Sequence, residues 1–389
     1  MIIDWYYPDW SDSFGAPSLY LRTRDKDGKL NVTIIHPEDE GYIRPFCWVP
    51  SNLPQWKIVR LENRFPSATL HPKCKAKGRD GMALIKLEVD KPNELYEIKD
   101  ILPTYEADLQ YVDQILLEKY PDKIPEFHPR VWYFDLEWDA KKDFTTVMAV
   151  VDSHADLPVV FAWKPEIKTM SVNYIEREGG YMLHEYGSEE TMHEGFLQHL
   201  EASDPDILVA HAIMWADLPH LIRRLENPNR LSPVLSVVKP FKDGGYKDTQ
   251  QPIKGRICWD SAAHWKSGSG FETLWQKSGR GQLPNRKLNT IAGLLQLGSK
   301  LTDEIEGMTV FNGWYDYYDH FVDYCLRDTA LLSSISERLN AIDFFVAMQQ
   351  LCGVSWGSTH KVTRYFRGLV GRRTDEKAPS ATNIRREEL

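Results

Sequence analysis

Val131-Trp132-Tyr133-Phe134-Asp135-Leu136-Glu137-Trp138 is an apolar, aromatic run that carries two carboxylates one residue apart. Its richness in β-branched and aromatic residues predicts a strand, and alternation along a strand puts Asp135 and Glu137 on one face. Two like charges beside Phe134, Leu136 and Trp138 would be destabilising by several kcal/mol unless something neutralised them. A divalent cation does this, because Mg²⁺ takes hard oxygen ligands and leaves positions for phosphate oxygens. Asp-x-Glu alone is a weak pattern, equally readable as a strand whose outer face is solvated.

Working outward, Thr145–Val151 and Pro158–Trp163 follow as two further strands across short turns, which predicts an antiparallel meander led by the carboxylate strand. Ser188 to Leu200 turns helical, with Glu189 and Glu190 in the first turn. Asp204-Pro205-Asp206-Ile207-Leu208-Val209-Ala210-His211 is a short buried-type strand leading to Asp217, expected at a helix N-cap with Pro219 in the first turn. A carboxylate at the carboxyl end of a strand is where α/β sheets place functional groups. In the helix expected over Phe321–Leu332, Tyr324 and Asp328 are one turn apart and share a face. Residues 264 to 287 interleave Trp265, Phe271 and Trp275 with Lys266, Lys277, Arg280, Arg286 and Lys287, a mixture that stacks bases and holds phosphates, or forms a plain solvated loop. Val234–Val238 and Gly255–Trp259 are expected as a hairpin with its tip at Asp243-Gly244-Gly245, and Leu288–Leu295 as a helix.

Residues 1–128 form a strand-rich module: strands at Leu19–Leu21 and Leu30–Ile35 around an Asp25–Gly28 turn, an apolar run bounded by prolines at Arg44–Pro50, an alternating stretch at Ala83–Val89, then a helix over Glu106–Lys119. Tyr120–Glu126, rich in proline and charge, marks a boundary; residues 129–335 form a second domain. Residues 336–389 continue with Val362, Tyr365, Phe366, Leu369 and Val370 on one stripe and end in a charged tail, Arg372–Lys377. At 389 residues and 42% hydrophobic, two domains with real cores are expected, of mixed α/β (α+β) class. The net charge of −9 argues against DNA binding by the whole surface and leaves room for a local groove. No apolar run reaches membrane-spanning length, and five cysteines without a Cys-x-x-Cys pair suit a reducing, intracellular setting.

Taken in order, Phe134-Asp135-Leu136-Glu137, then strand–Asp217–helix, then Tyr324-Cys325-Leu326-Arg327-Asp328 resembles the three motifs of the Tyr-bearing DEDD exonucleases. More narrowly, the chain is similar to the N-terminal and 3′→5′ proofreading portions of family B DNA polymerases, including those of phages. Tyr105-Glu106-Ala107-Asp108, Leu231-Ser232-Pro233, Gly255-Arg256-Ile257 and Leu297-Gly298-Ser299-Lys300 extend the likeness over nearly the whole chain. The resemblance implies an RNase H-like exonuclease domain, with residues 336–389 returning to pack on the N-terminal domain. It further implies two Mg²⁺ or Mn²⁺ ions roughly 4 Å apart. Asp135 would bridge both ions, Glu137 and Asp328 would hold the one carrying the nucleophilic water, and Asp217 would bind the second, with Tyr324 orienting the water. Its substrate would be the single-stranded 3′ end of DNA or a primer-template, with contacts expected at Leu136, Ala212, Trp215, Trp265, Lys277 and Arg280. The place of work implied is a replication complex in the cytoplasm, the host's for a phage protein.

Two departures matter. The second motif of the family has Asn-x-x-x-Phe-Asp, where this chain has Ala212 and Ala216, with Trp215 as the available aromatic surface. The palm motifs of the polymerase site are missing, and Ser18-Leu19-Tyr20 is no substitute. Palm, fingers and thumb are therefore expected on a separate or missing portion. A rival reading, with Ala212 as its support, is a weakly active or inactive DNA-binding scaffold that docks a separate polymerase subunit. A third is an RNA-processing exonuclease of the same superfold.

Overall fold

A computed structural model describes residues 1–8, 15–139, 141–176, 179–241, 244–246, 250–266, 269–301, 316–358, 364–365, 368–369 and 379. The chain opens with β1 (Ile2–Tyr6), β2 (Ser18–Arg24) and β3 (Leu30–Ile35), a three-stranded antiparallel sheet. The β2–β3 turn closes with Gly28 at φ +80°, a left-handed value that glycine adopts without strain. A second sheet, ordered β4-β6-β5, comes from β4 (Phe46–Pro50), α1 (Gln55–Arg64), β5 (Thr69–Lys77), β6 (Ala83–Glu88) and α2 (Glu94–Ile98). Cys47, Val49, Ile85 and Leu87 pack with Leu61, Leu95 and Ile98 in one buried cluster. The expected helix from Glu106 is confined to α3 (Tyr111–Lys119), because Glu106 takes φ +61°, a left-handed conformation that no helix continues.

The larger sheet has seven strands: β7 (Val131–Asp139), β8 (Phe144–Asp152), β9 (Val159–Trp163), β10 (Ser171–Ile175), β11 (Tyr181–Tyr186), then, after α4 (Glu189–Ser203), β12 (Ile207–Ala210), and, after α5 (Asp217–Arg224), β13 (Ile257–Asp260). Its order is β10-β11-β9-β8-β7-β12-β13. The meander β7-β8-β9 is antiparallel as expected, while β12 and β13 run parallel to β7. The hairpin expected between Val234–Val238 and Gly255–Trp259 forms only in part and with an earlier partner segment: Val238 donates its amide to the Pro252 carbonyl at 2.8 Å and Lys254 to the Ser236 carbonyl at 3.0 Å. Val237 and Ile253 make a single antiparallel bridge, and the second segment instead pairs with β12. Asp243 lies outside the described residues. Ser188 caps α4 by accepting from the Thr191 amide.

The chain then runs through α6 (Gly270–Trp275), α7 (Leu288–Leu294), α8 (Tyr318–Arg338) and α9 (Ala341–Cys352). Strand alternation divides the core. Trp132, Phe134 and Leu136 of β7 pack with Phe196, Leu200, Leu218 and Leu221 of α4 and α5. Val147 and Ala149 of β8 pack on the other face with Phe321, Val322 and Cys325 of α8. Beyond α9, Ser355 donates its amide to Asp113 of α3 at 2.7 Å, and the N-terminal amine of Met1 donates to Gln349 at 2.9 Å. Tyr365 joins the buried cluster of Ile2, Phe127 and Trp356, and Leu369 packs against it. Val362, Phe366, Val370 and the charged tail at 372–377 lie outside the described residues.

The N-terminal three-stranded sheet and the seven-stranded sheet are joined by buried charge. Arg22 and Arg24, two residues apart and so on one face of β2, reach Asp206, just ahead of β12, at 2.5 and 2.6 Å. Asp206 also accepts from the Arg130 amide at 2.7 Å. Asp204 ends α4 at φ +44° and is met by Arg22 and Arg256. Burial pushes the Asp204 carboxyl up, but Arg256 and Arg22 together hold it below the usual range. No helix among the described residues is long and apolar enough to cross a membrane.

Candidate metal centre

Asp135 and Glu137 share the face of β7 that meets α8, opposite the face that buries Leu136. The helix approaches closely enough for Cys325 Sγ to donate to the Asp135 carbonyl at 3.4 Å. Asp135, Glu137 and Asp328 each bring a carboxylate oxygen within 4.8 Å of the others. Asp217 is outside that close trio, but its charge acts on Glu137, and that of Asp135 acts on it. Asp217 is the first residue of α5 rather than its cap. Ala216 occupies the cap position, with no side-chain bond to the helix. The Asp217 side chain therefore does not cap its helix, and its Oδ2 is buried without a hydrogen-bond partner. Asp328 Oδ1 is buried and unpartnered in the same way.

The electrostatics follow from this crowding. Burial, then repulsion from Asp328, pushes the Asp135 carboxyl up to about 7. Burial, then Asp135, raises Glu137 well above its usual range. Asp217 rises through burial, Asp135 and Asp260, and Asp328 through burial, despite a cation beside it. That cation is Lys300, ion-paired with Asp328 Oδ2 and 3.0 Å from the Tyr324 hydroxyl. Burial and Asp328 push Tyr324 up to about 12, so it stays protonated near neutral pH. The Lys300 ammonium donates to the Tyr324 oxygen, leaving the tyrosine O–H free to donate onward. Two buried carboxylate oxygens without partners, in a cluster short of positive charge, fit a hard divalent cation.

Of the expected DNA contacts, two are corrected. Trp265 is buried in the core against Phe271 and Trp275, with no ring face for a base. The Leu136 side chain is likewise buried, under α4 and α5. Trp215 is 54% exposed, one ring face over Gly245, where an added Cβ would come 2.6 Å from the ring. Lys277 and Arg280 are exposed, with Arg280 over the Trp275 ring at 4.8 Å.

Three neighbours escaped the sequence reading as individual residues. Asp260, at the end of β13, accepts from the amides of Ala212, Met214 and Ala263 and so shapes the loop that delivers Asp217. Lys300 stood in a matching segment with no role attached. His211 donates from Nε2 to the Arg286 carbonyl at 2.8 Å, which leaves Nδ1 a buried acceptor without a partner. Burial, with Lys300 and Arg286 nearby, pushes its imidazole down to about 4. None has a periodic or spacing signal, because each is placed by contacts across the fold.

Ala212 stands at φ +77°, where a Cβ is disfavoured by roughly 1–2 kcal/mol. Ala212→Gly or Ala212→Asn should therefore raise stability by roughly 0.5–1 kcal/mol, read as a shifted denaturation midpoint. An unchanged midpoint would show that the loop holds this conformation without strain.

A scan against protein-family models finds no match to this chain, and a search of curated proteins finds none either.

Proposed function

We propose that the chain is the 3′→5′ exonuclease portion of a family B DNA polymerase, removing terminal nucleotides from the 3′ end of DNA. The observation that carries the reading is the gathering of Asp135, Glu137 and Asp328, from strand and helix nearly two hundred positions apart, with Asp217 at their border. The strand run β9-β8-β7-β12-β13, antiparallel and then parallel with helices on both faces, supports an RNase H-like domain.

Asp135, Glu137 and Asp328 would hold one divalent ion, and Asp217 with Asp135 the other. When bound, such a pair supplies positive charge to the phosphoryl oxygens and the departing 3′ oxygen. The chain's own groups divide the remaining work. Tyr324, kept protonated, positions a water by its hydroxyl instead of removing its proton. Lys300 fixes the orientation of Tyr324 and of Asp328. Trp215, exposed two residues before Asp217, offers a stacking surface for a base.

Digestion of a 5′-labelled single-stranded oligonucleotide with Mg²⁺, and again with EDTA, tests this. Stepwise shortening only with metal is expected. A chain that takes up metal and shortens neither DNA nor RNA would instead be the docking scaffold, and preference for RNA would favour an RNA-processing enzyme.

A further inference from the structure

Behind the carboxylates, a buried polar chain ties α4 and α5 to the start of β8. The Thr145 hydroxyl is fully buried, 3.1 Å from His220 Nε2 and 3.1 Å from His193 Nε2. Arg223 donates to His220 Nδ1 at 3.4 Å, so the neutral ring carries its proton on Nε2. His220 then donates to Thr145, and the Thr145 hydroxyl donates on to His193. Burial, with the Arg223 charge beside it, pushes the His220 imidazole down to about 4, so the ring is neutral near pH 7. The Thr145 backbone is held as well. Its amide donates to Glu189 at 2.8 Å, its carbonyl accepts from Trp163 at 2.7 Å, and Arg224 of α5 grips Glu189 at 2.6 Å.

This chain meets the metal ligands from two sides. His220 lies one turn after Asp217 on α5, and its ring stacks on Trp138 at 4.8 Å and 22°. Trp138 follows Glu137, and the β7–β8 register shifts between these two residues. Beside Thr145, the Thr146 hydroxyl donates to the Glu137 carbonyl at 2.9 Å. The irregular point that aims Glu137 is thus bracketed by the same groups that fix the first turn of α5. Packing alone does not call for two buried imidazoles and a hydroxyl, since apolar groups of equal volume fill a core without their desolvation penalty.

We infer that His220, Thr145 and His193 are positioning residues that set the spacing between Asp217 and Glu137 and thereby the affinity of the site for divalent cations. The inference rests on the metal-centre reading. Groups that orient metal ligands through hydrogen bonds change affinity when removed, even though they never touch the ion.

Calorimetric titration with Mn²⁺, without DNA, decides the matter when run beside thermal melts of four proteins. Thr145→Val keeps the volume and removes the hydroxyl, Thr145→Ser keeps the hydroxyl, and His220→Phe keeps a ring on Trp138 while removing both nitrogens. Thr145→Val and His220→Phe should weaken Mn²⁺ binding by about tenfold, with Thr145→Ser within about twofold of wild type. Unchanged affinity in both variants, with only lower melting temperatures, would overturn the proposal and leave the trio a purely structural role. Should Thr145→Val not fold, His220→Phe carries the same decision. Wild-type protein that takes up no Mn²⁺ overturns the metal centre, and this inference with it.

Discussion

Exchanging Asp135 for Asn and Glu137 for Gln in one protein should abolish Mg²⁺-dependent 3′ trimming while making the metal-free fold more stable. The amides keep the shape and remove the charge, so the site loses two cation ligands and the cluster loses its repulsion. A loss of at least ~10³-fold in rate corresponds to about 4 kcal/mol of transition-state stabilisation. The stability gain has a definite pH window. The Asp135 carboxyl sits at about 7 in the fold, against an ordinary value near ~4 in the unfolded chain. Between these values the folded protein holds a proton that the unfolded chain has released. This contribution to metal-free stability is therefore fully present below about 4 and is lost progressively as pH rises to about 7.

The variant should gain roughly 2 kcal/mol over wild type at pH 5.5 and on the order of 4 kcal/mol at pH 8. His184, His193, His199, His211 and His220, all lowered by burial, act in the opposite sense below about 6.5, so the quantity to read is the difference between the two proteins. Thermal melts in EDTA at both pH values, repeated with Mg²⁺, provide it. Mg²⁺ should stabilise only the wild type at pH 8. Trimming by the variant at a near wild-type rate would dismiss the assignment.

The second large effect is structural. Asp206→Ala should destabilise the protein by on the order of 3–5 kcal/mol, because Arg22 and Arg24 would be left buried beside a lost partner and the Arg130 amide would lose its acceptor. Adding Arg22→Met should recover part of the loss, since an apolar side chain needs no counter-charge. Equilibrium denaturation of the three proteins measures both steps. A change below about 1 kcal/mol for Asp206→Ala would show that water reaches the guanidiniums and that the contact between β2 and the seven-stranded sheet is not buried in solution.

These residues also show where sequence reasoning reaches and where it stops. Asp206 lies in the strand quoted for the second nuclease motif, yet its side chain points to β2 of the N-terminal three-stranded sheet. The aromatic and basic stretch at 264–287 reads in sequence as a surface for bases or as a solvated loop, and its tryptophans are core residues packed with α8 and α9. Aromatic residues look alike in sequence whether they stack on a base or on Phe345. Only the covering element distinguishes the two.

From the sequence alone, strand alternation determined that Asp135 and Glu137 share a face, and helical period that Tyr324 and Asp328 share another. Both are local consequences of backbone geometry, a repeat of two residues or of 3.6. The tertiary structure alone decided that these faces meet, that Asp217 leaves its helix cap for their border, and that Lys300 is the cation beside Asp328. Those outcomes depend on which strand pairs with which and which helix lies over them, contacts between residues far apart in the chain that no local repeat encodes.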